Sequence, residues 1–169
     1  STWTPSSGAT FRTEALSMAD SRNGWSAGNI GSDGRINRTT DGGRTWIDQR
    51  SVAQNDYNGT AAQSVLQNTT VGEKYSGPDT GLIVRTTNGG ATWQEQRFAP
   101  GERLGKVVFV DSLHGWITGL PTGFILRTVD GGQSWLRYST PYNFGGVSFL
   151  DSARGWACVH LDPVFFRTT

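Results

Sequence analysis

Apolar positions along this chain come in short bursts of four to six, each bounded by turn-forming residues. They are clearest over residues 104–140. Lys106-Val107-Val108-Phe109-Val110 is a compact apolar run suited to a strand buried on both faces. Asp111 to Gly115 is a turn, Trp116 to Leu120 a second strand, Pro121-Thr122-Gly123 another turn, and Phe124 to Val129 a third strand. Asp130-Gly131-Gly132-Gln133-Ser134 then launches a fourth strand from Trp135 to Ser139. Four short antiparallel strands in this space leave little room for helix.

The same pattern recurs. Arg38 to Trp46 reads RTTDGGRTW, Arg85 to Trp93 reads RTTNGGATW, and Arg127 to Trp135 reads RTVDGGQSW. The chain stops at Arg167-Thr168-Thr169 and starts at Ser1-Thr2-Trp3, a fourth copy split across the ends. Trp3, Trp46, Trp93 and Trp135 are 43, 47 and 42 residues apart. A second beat, Gly24-Trp25, Gly115-Trp116 and Gly155-Trp156, follows Asp20-Ser21, Asp111-Ser112 and Asp151-Ser152, with Val71-Gly72 in its place in the divergent second repeat. Repeated four-stranded units that cannot bury both faces alone predict an all-β propeller of four blades. The expected blades are residues 10–51, 52–99, 104–140, and 146–169 completed by residues 1–6, in one domain or as part of a larger propeller.

Each residue of the repeated turn has a structural reading. Asp41 and Asp130, with Asn88 as uncharged equivalent, are expected to accept backbone N–H groups two residues on, and the glycines tolerate positive φ. The tryptophan packs between blades. Arg38, Arg85, Arg127 and Arg167 recur with the blade, and Asp20, Asp111 and Asp151 on the same rim are expected to pair with Arg38, Arg127 and Arg167. An electropositive array for a partner's carboxylates is the functional alternative.

On these residues the chain resembles the BNR or Asp-box repeat propellers, and among them the photosystem II stability and assembly factor family. The match runs through Phe109, Asp111, Gly115, Trp116, Gly119, Gly123, Ile125 to Thr128, Asp130 to Gly132, Ser134 and Trp135, and resumes from Phe149 to Thr168. The resemblance implies a non-catalytic scaffold holding a protein or peptide partner, an acidic or C-terminal segment among the candidates. It also implies an extracytoplasmic setting: secreted, periplasmic or thylakoid-lumenal. Similar repeats occur in sialidases and other glycosidases, so glycan binding is the alternative and a structural or surface component the third. Those assembly factors resemble seven-bladed rings, whereas four repeats are present here.

Topology places the turns between strands one and two, and three and four, on a structural rim. The opposite face receives Asn29 to Gly34, Glu73 to Thr80, Leu120 to Gly123 and His160 to Pro163, together with the inter-blade links Ala53 to Asn58, Pro100 to Arg103 and Pro141 to Phe144. These loops vary most between repeats, and variable loops on a rigid scaffold carry specificity. Tyr57, Lys74, Tyr75, Asp79, Arg103 and Tyr142 are the expected partner-binding residues.

Composition narrows the chemistry. Net charge is +1 and thirteen of the fifteen basic residues are arginine, which favours geometry-specific contacts and does not imply nucleic acid. One cysteine, Cys158, and two histidines give no disulfide and no metal spacing, and no cofactor is expected. No apolar run is long enough to span a membrane. A sialidase-type site would pair a tyrosine with a glutamate. Only Tyr75 lies near one of the four glutamates, Glu73, and the pair reads as solvated loop surface. His160 and Asp162 read as a surface turn, with no G-x-S-x-G elbow to support a triad. Asn58-Gly59-Thr60 and Asn68-Thr69-Thr70 are glycosylation sequons on paper. The N-terminal Thr2-Trp3-Thr4-Pro5 is expected to pair with Val164 to Thr168, within one chain or from a neighbouring copy, and open blade edges would otherwise self-associate.

Overall fold

The computed structural model describes residues 4–8, 11–75, 79–160 and 162–168. Fifteen strands form four antiparallel meanders with no helix among the described residues. The first sheet holds β1 (Arg12–Met18), β2 (Gly24–Ile30), β3 (Asp33–Thr39) and β4 (Ile47–Ala53). The second holds β5 (Asn55–Ala62), β6 (Asn68–Lys74), β7 (Thr80–Thr86) and β8 (Gln94–Pro100). The third holds β9 (Arg103–Phe109), β10 (Gly115–Leu120), β11 (Phe124–Thr128) and β12 (Leu136–Ser139), each bound within a few residues of its sequence expectation. The fourth has three strands, β13 (Phe144–Phe149), β14 (Gly155–Val159) and β15 (Phe165–Arg167). None of the sheets closes on itself.

The sheets stack in chain order, and the core lies between them. Trp25, Ala27 and Ile36 of the first sheet meet Tyr57, Leu82 and Val84 of the second. Ala61, Val71 and Ile83 of the second meet Leu104, Val107, Ile117, Phe124 and Leu126 of the third. β7 shows the logic most simply: Leu82 and Val84 face one neighbour, and Ile83, pointing the other way, faces the next. Between the third and fourth sheets, Trp116 stacks on Phe149 with ring centroids 3.7 Å apart.

Continuous burial runs through the second strands β2, β6 and β10 and through β7, and not through β9 as its apolar run suggested. Each of these strands has a neighbour on both edges, whereas β1 is exposed at Arg12, Thr13, Glu14, Leu16 and Met18 and β9 at Arg103 and Lys106. Each first strand also carries a register shift against its neighbour, at Thr13/Ala15, Tyr57/Gly59, Phe144/Gly146 and opposite Ile117/Gly119. Such bulges bend the strand and re-aim one side chain.

The repeated turn is wired differently from the sequence expectation. Gly43 N–H donates to Thr39 Oγ1 at 2.9 Å, and Asp41 accepts from the residue four on, Thr45 N at 3.0 Å and Thr45 Oγ1 at 2.6 Å. Thr128, Asp130, Gly132 and Ser134 repeat the arrangement. In the second repeat Asn88 accepts from Thr92 N and donates its own Nδ2 to Thr92 Oγ1, so the amide reverses one bond and keeps the turn. The glycine pairs 42–43, 89–90 and 131–132 all have positive φ, between 71° and 93°. The threonine ahead of the Asp, read only as strand, closes the turn by taking the N–H two residues beyond that Asp.

The aspartates of the other rim turns also bind locally instead of pairing with the repeat arginines. Asp20 accepts from Arg22 and Asn23 backbone N–H, Asp111 from Leu113 and His114, and Asp151 from Ala153 and Arg154. Arg38 instead reaches the next blade, donating to the carbonyls of Gly89 at 3.1 Å and Val65 at 3.0 Å. Arg127 reaches Ser152 O at 3.5 Å.

At the N-terminus, Ser7 forms a parallel bridge with Thr45 of the first sheet. Trp3 lies outside the described residues. Among the described residues β15 pairs only with β14, so residues 4–8 do not close the fourth sheet within the chain.

Candidate binding face

The face opposite the repeated turns carries the tight β2–β3 connection, Tyr75, Asp79, residues 121–123 and the links between sheets. The first link is a single residue, Gln54, at φ 59°. The stretch expected to be a link, Ala53 to Asn58, is therefore mostly strand β5. Tyr57 in consequence is 0 % exposed, packed between the first two sheets, and offers no surface to a partner.

Tyr75, Asp79 and Arg103 come together where the second sheet meets the third. Tyr75 Oη donates to Glu73 Oε1 at 2.8 Å and lies 3.1 Å from Asp56 Oδ2. Arg103 places Nε 2.9 Å from Glu73 Oε2 and its terminal nitrogen 2.9 Å from Asp79 Oδ2. Asn29 of the first sheet donates to Asp56. A polar chain, Asn29–Asp56–Tyr75–Glu73–Arg103–Asp79, thus crosses three sheets. Asp56 was not singled out from sequence, and Glu73 was read only as solvated surface beside Tyr75. Strand alternation could have found Glu73, because β6 is buried on both faces and a carboxylate at its end needs a cation.

Glu73 is only 5 % exposed, so the Glu73–Tyr75 pair is a fixed contact and not solvated loop surface. Its electrostatics oppose nucleophilic use of the phenol. Burial, then the hydrogen bond and charge of Glu73 and the charge of Asp56, push the Tyr75 hydroxyl well above the usual tyrosine range. The neighbouring Glu73 carboxylate and the bond to Asp79 hold Arg103 more firmly protonated.

Two grooves meet at Arg103. One, about 510 Å³, is lined by Asp79, Gly101, Arg103, Leu120, Pro121 and Asn143. The other, about 340 Å³, runs past Asn58, Glu73, Lys106, Phe144 and His160. Lys106 sits at the bulge of β9 and spans the groove floor, its Nζ 3.3 Å from Asn58 O. Lys74 ends β6, half-buried. Tyr142 lies further along, its ring tilted on Phe166 at 4.7 Å, while the adjacent Asn143 lines the first groove and accepts from Gly123 N–H at 2.9 Å.

Of the two sequons, Asn68 is 0 % exposed and closed off, while half-buried Asn58 sets Nδ2 3.4 Å from Leu104 O. Among the described residues no group of three or more His, Cys, Asp or Glu is placed to hold a metal ion, and no helix is long and apolar enough to cross a membrane.

No protein-family profile matches the sequence, and no curated protein matches it. Similar solved structures do exist. YCF48 from Cyanidioschyzon merolae superposes with a TM-score of 0.67 at 16% identity, over 98% of this chain and 55% of that one. YCF48 bound to a D1 peptide gives 0.60 at 17%, over 90% and 63%. The GH74 enzyme of Niastella koreensis gives 0.64 at 18%, over 87% and 26%. The fold is that of β-propellers. The chain spans between about a quarter and just under two thirds of the length of these proteins.

Proposed function

We propose that this chain is a non-catalytic scaffold that holds an extended peptide of a protein partner along the two grooves meeting at Arg103. The observation that carries the reading is the polar chain through Tyr75, Glu73, Arg103 and Asp79, which fixes two large recognition side chains before any partner arrives. Side chains locked in advance lose little entropy on binding. Lys106 and Arg103 offer cations along the groove, and Leu120, Pro121 and Phe144 offer apolar contact. A peptide carrying one carboxylate next to an apolar residue matches that lining. The YCF48 structure with a D1 peptide supports peptide capture by this fold. A role beside the photosystem II assembly factors, in an extracytoplasmic setting, is part of the same proposal.

The test is selection from a displayed peptide library, followed by titration of the selected peptides against Arg103→Ala, Lys106→Ala and Asp130→Asn. The two groove variants should lose tenfold or more in affinity, about 1.4 kcal/mol, and Asp130→Asn should not. Equal losses in all three would move the site to the other rim.

A glycan reading has one observation in its favour: Asp56 and Glu73 flank a half-exposed tyrosine in a fold shared with GH74 enzymes, one of them a xyloglucanase from Xanthomonas campestris. The phenol fills the space between the two carboxylates, where a glycosidase needs the scissile bond. Release of reducing sugar from xyloglucan, abolished by Glu73→Gln, would establish it against the scaffold reading.

A further inference from the structure

The polar chain that joins the sheets at Arg103 is not balanced in charge. Asp56, Glu73 and Asp79 bring three carboxylates, Tyr75 contributes a phenol held in its neutral form, and Arg103 is the guanidinium among them. Lys74, next after Glu73 on β6, forms an ion pair with none of the three among the described residues. Arg103 is divided between two of the acids, with Nε 2.9 Å from Glu73 and a terminal nitrogen 2.9 Å from Asp79. Glu73 is 5 % exposed and out of a partner's reach, so it takes up the charge of Arg103 from within. Asp79 keeps 33 % of its side chain in solvent, and among the described residues its Oδ1 has no hydrogen-bond partner. The excess negative charge therefore surfaces at Asp79, in the groove it shares with Pro121 and Asn143.

The second groove has the opposite sign. Lys106 stands in the bulge of β9, where its N–H donates to Thr118 Oγ1 at 3.0 Å, and this anchors the exposed side chain at its base. Its ammonium meets only a carbonyl, Asn58 O at 3.3 Å. His160 lines the same groove, and the one carboxylate there, Glu73, is already engaged by Arg103. Leu120 lies opposite Arg103 in the strand register and lines both grooves. An anionic end and a cationic end thus flank one apolar step.

We propose that the partner segment is dipolar, with a lysine or arginine seated on Asp79, an apolar residue over Leu120, and an aspartate or glutamate on Lys106. Arg103, which holds Asp79, and Lys106 are three residues apart on β9, about 10 Å, so base and acid stand about three residues apart in an extended segment. The inference rests on the peptide-scaffold reading and adds to its carboxylate a basic residue and a fixed direction along the grooves. A segment entering in reverse sets its acid against Asp79 and its base against Lys106, and both contacts repel.

The test uses the peptides selected from the displayed library, each titrated as selected, with its basic residue changed to alanine, and with that residue changed to glutamate. The whole chain is used as wild type, Asp79→Asn and Asp79→Lys, with folds checked by circular dichroism. Wild type should lose tenfold or more when the base becomes alanine. Asp79→Lys should bind the glutamate form at least tenfold more tightly than the selected form, a rescue that loss of a structural contact does not produce. Asp79→Asn, which keeps the side-chain shape, should lose the preference for the base without gaining one for the acid. Lys106→Glu should still require the base at Asp79 while preferring lysine in place of the peptide's acid. Peptides that depend on Lys106 but share no basic residue, or a preference unchanged in Asp79→Lys, overturn the dipolar segment and leave the scaffold reading standing. A library that yields no peptide sensitive to Lys106→Ala overturns both.

Discussion

Trp25 and Trp156 occupy the same place in the repeat but opposite environments, and that difference can be measured. Trp25 is 0 % exposed, edge-on to Trp93 and 5.4 Å from the Arg38 guanidinium carbon; Trp156 is 45 % exposed. Truncating a buried tryptophan to alanine costs about 3–5 kcal/mol, and the aromatic pair carries about 0.5–1.5 of its own. Trp25→Ala should therefore lose about 5 kcal/mol, an amount comparable to the whole stability of many domains. Trp156→Ala gives up the burial of only part of an indole, about 1–2 kcal/mol. At about 2–4 °C per kcal/mol for a chain of this size, the two should melt about 10 °C apart. Urea unfolding followed by far-ultraviolet circular dichroism measures the gap. Trp25→Phe serves as a milder step if the alanine variant is unfolded. Losses within about 1 kcal/mol of each other would refute the inter-blade packing argument.

The carboxyls of Asp41, Asp130 and Asp151 are held at about 2, Asp41 and Asp151 by hydrogen bonds from their own turns and Asp130 by such bonds outweighing its burial. Their folded values lie below the unfolded one, so their stabilisation is complete above pH about 4 and is lost as pH falls toward 2; an acid titration of stability with no loss in that window would contradict it. Asp130→Asn should keep the turn, as Asn88 does, and flatten that acid limb. Thr128→Val removes the acceptor for the N–H groups of Asp130 and Gly132 and should cost about 1–3 kcal/mol in urea unfolding, whereas exposed Thr40→Val should cost almost nothing. Ultraviolet titration of wild type against Tyr75→Phe should show that the removed phenol ionises above the ordinary tyrosine range; a difference centred near the ordinary value of about 10 would undo the Glu73–Tyr75–Asp56 contact.

The third blade was legible because its polarity follows its geometry. Apolar runs are strands, and Asp, Gly and Pro are turns. The second blade was less so because its interior is polar. Thr60, Asn68 and Thr70 are buried and satisfy one another through hydroxyl and amide bonds, and Asn55 and Tyr57 sit in a strand whose sequence, N-D-Y-N-G-T, reads as a loop. Of the residues expected on the binding face, Tyr75, Asp79 and Arg103 converge because the end of β6, the start of β7 and the start of β9 fall on one rim, which strand order alone determines. Asp56, which joins that group, was hidden by the same misread strand that concealed Tyr57.

The reach of Arg38 to the Gly89 carbonyl runs one way only, from a blade to its successor, and so does that of Gln96 to the third blade's turn. The stack therefore has a polarity, like a row of tiles each overlapping the next. A blade added at the trailing end meets a seat already shaped for it, while the leading end need not change, so duplication of a single repeat yields a longer array without a new interface. Loss of order has the same direction. A blade stripped of its successor leaves its arginine and tryptophan without a seat, so disorder passes forward through each overlap in turn.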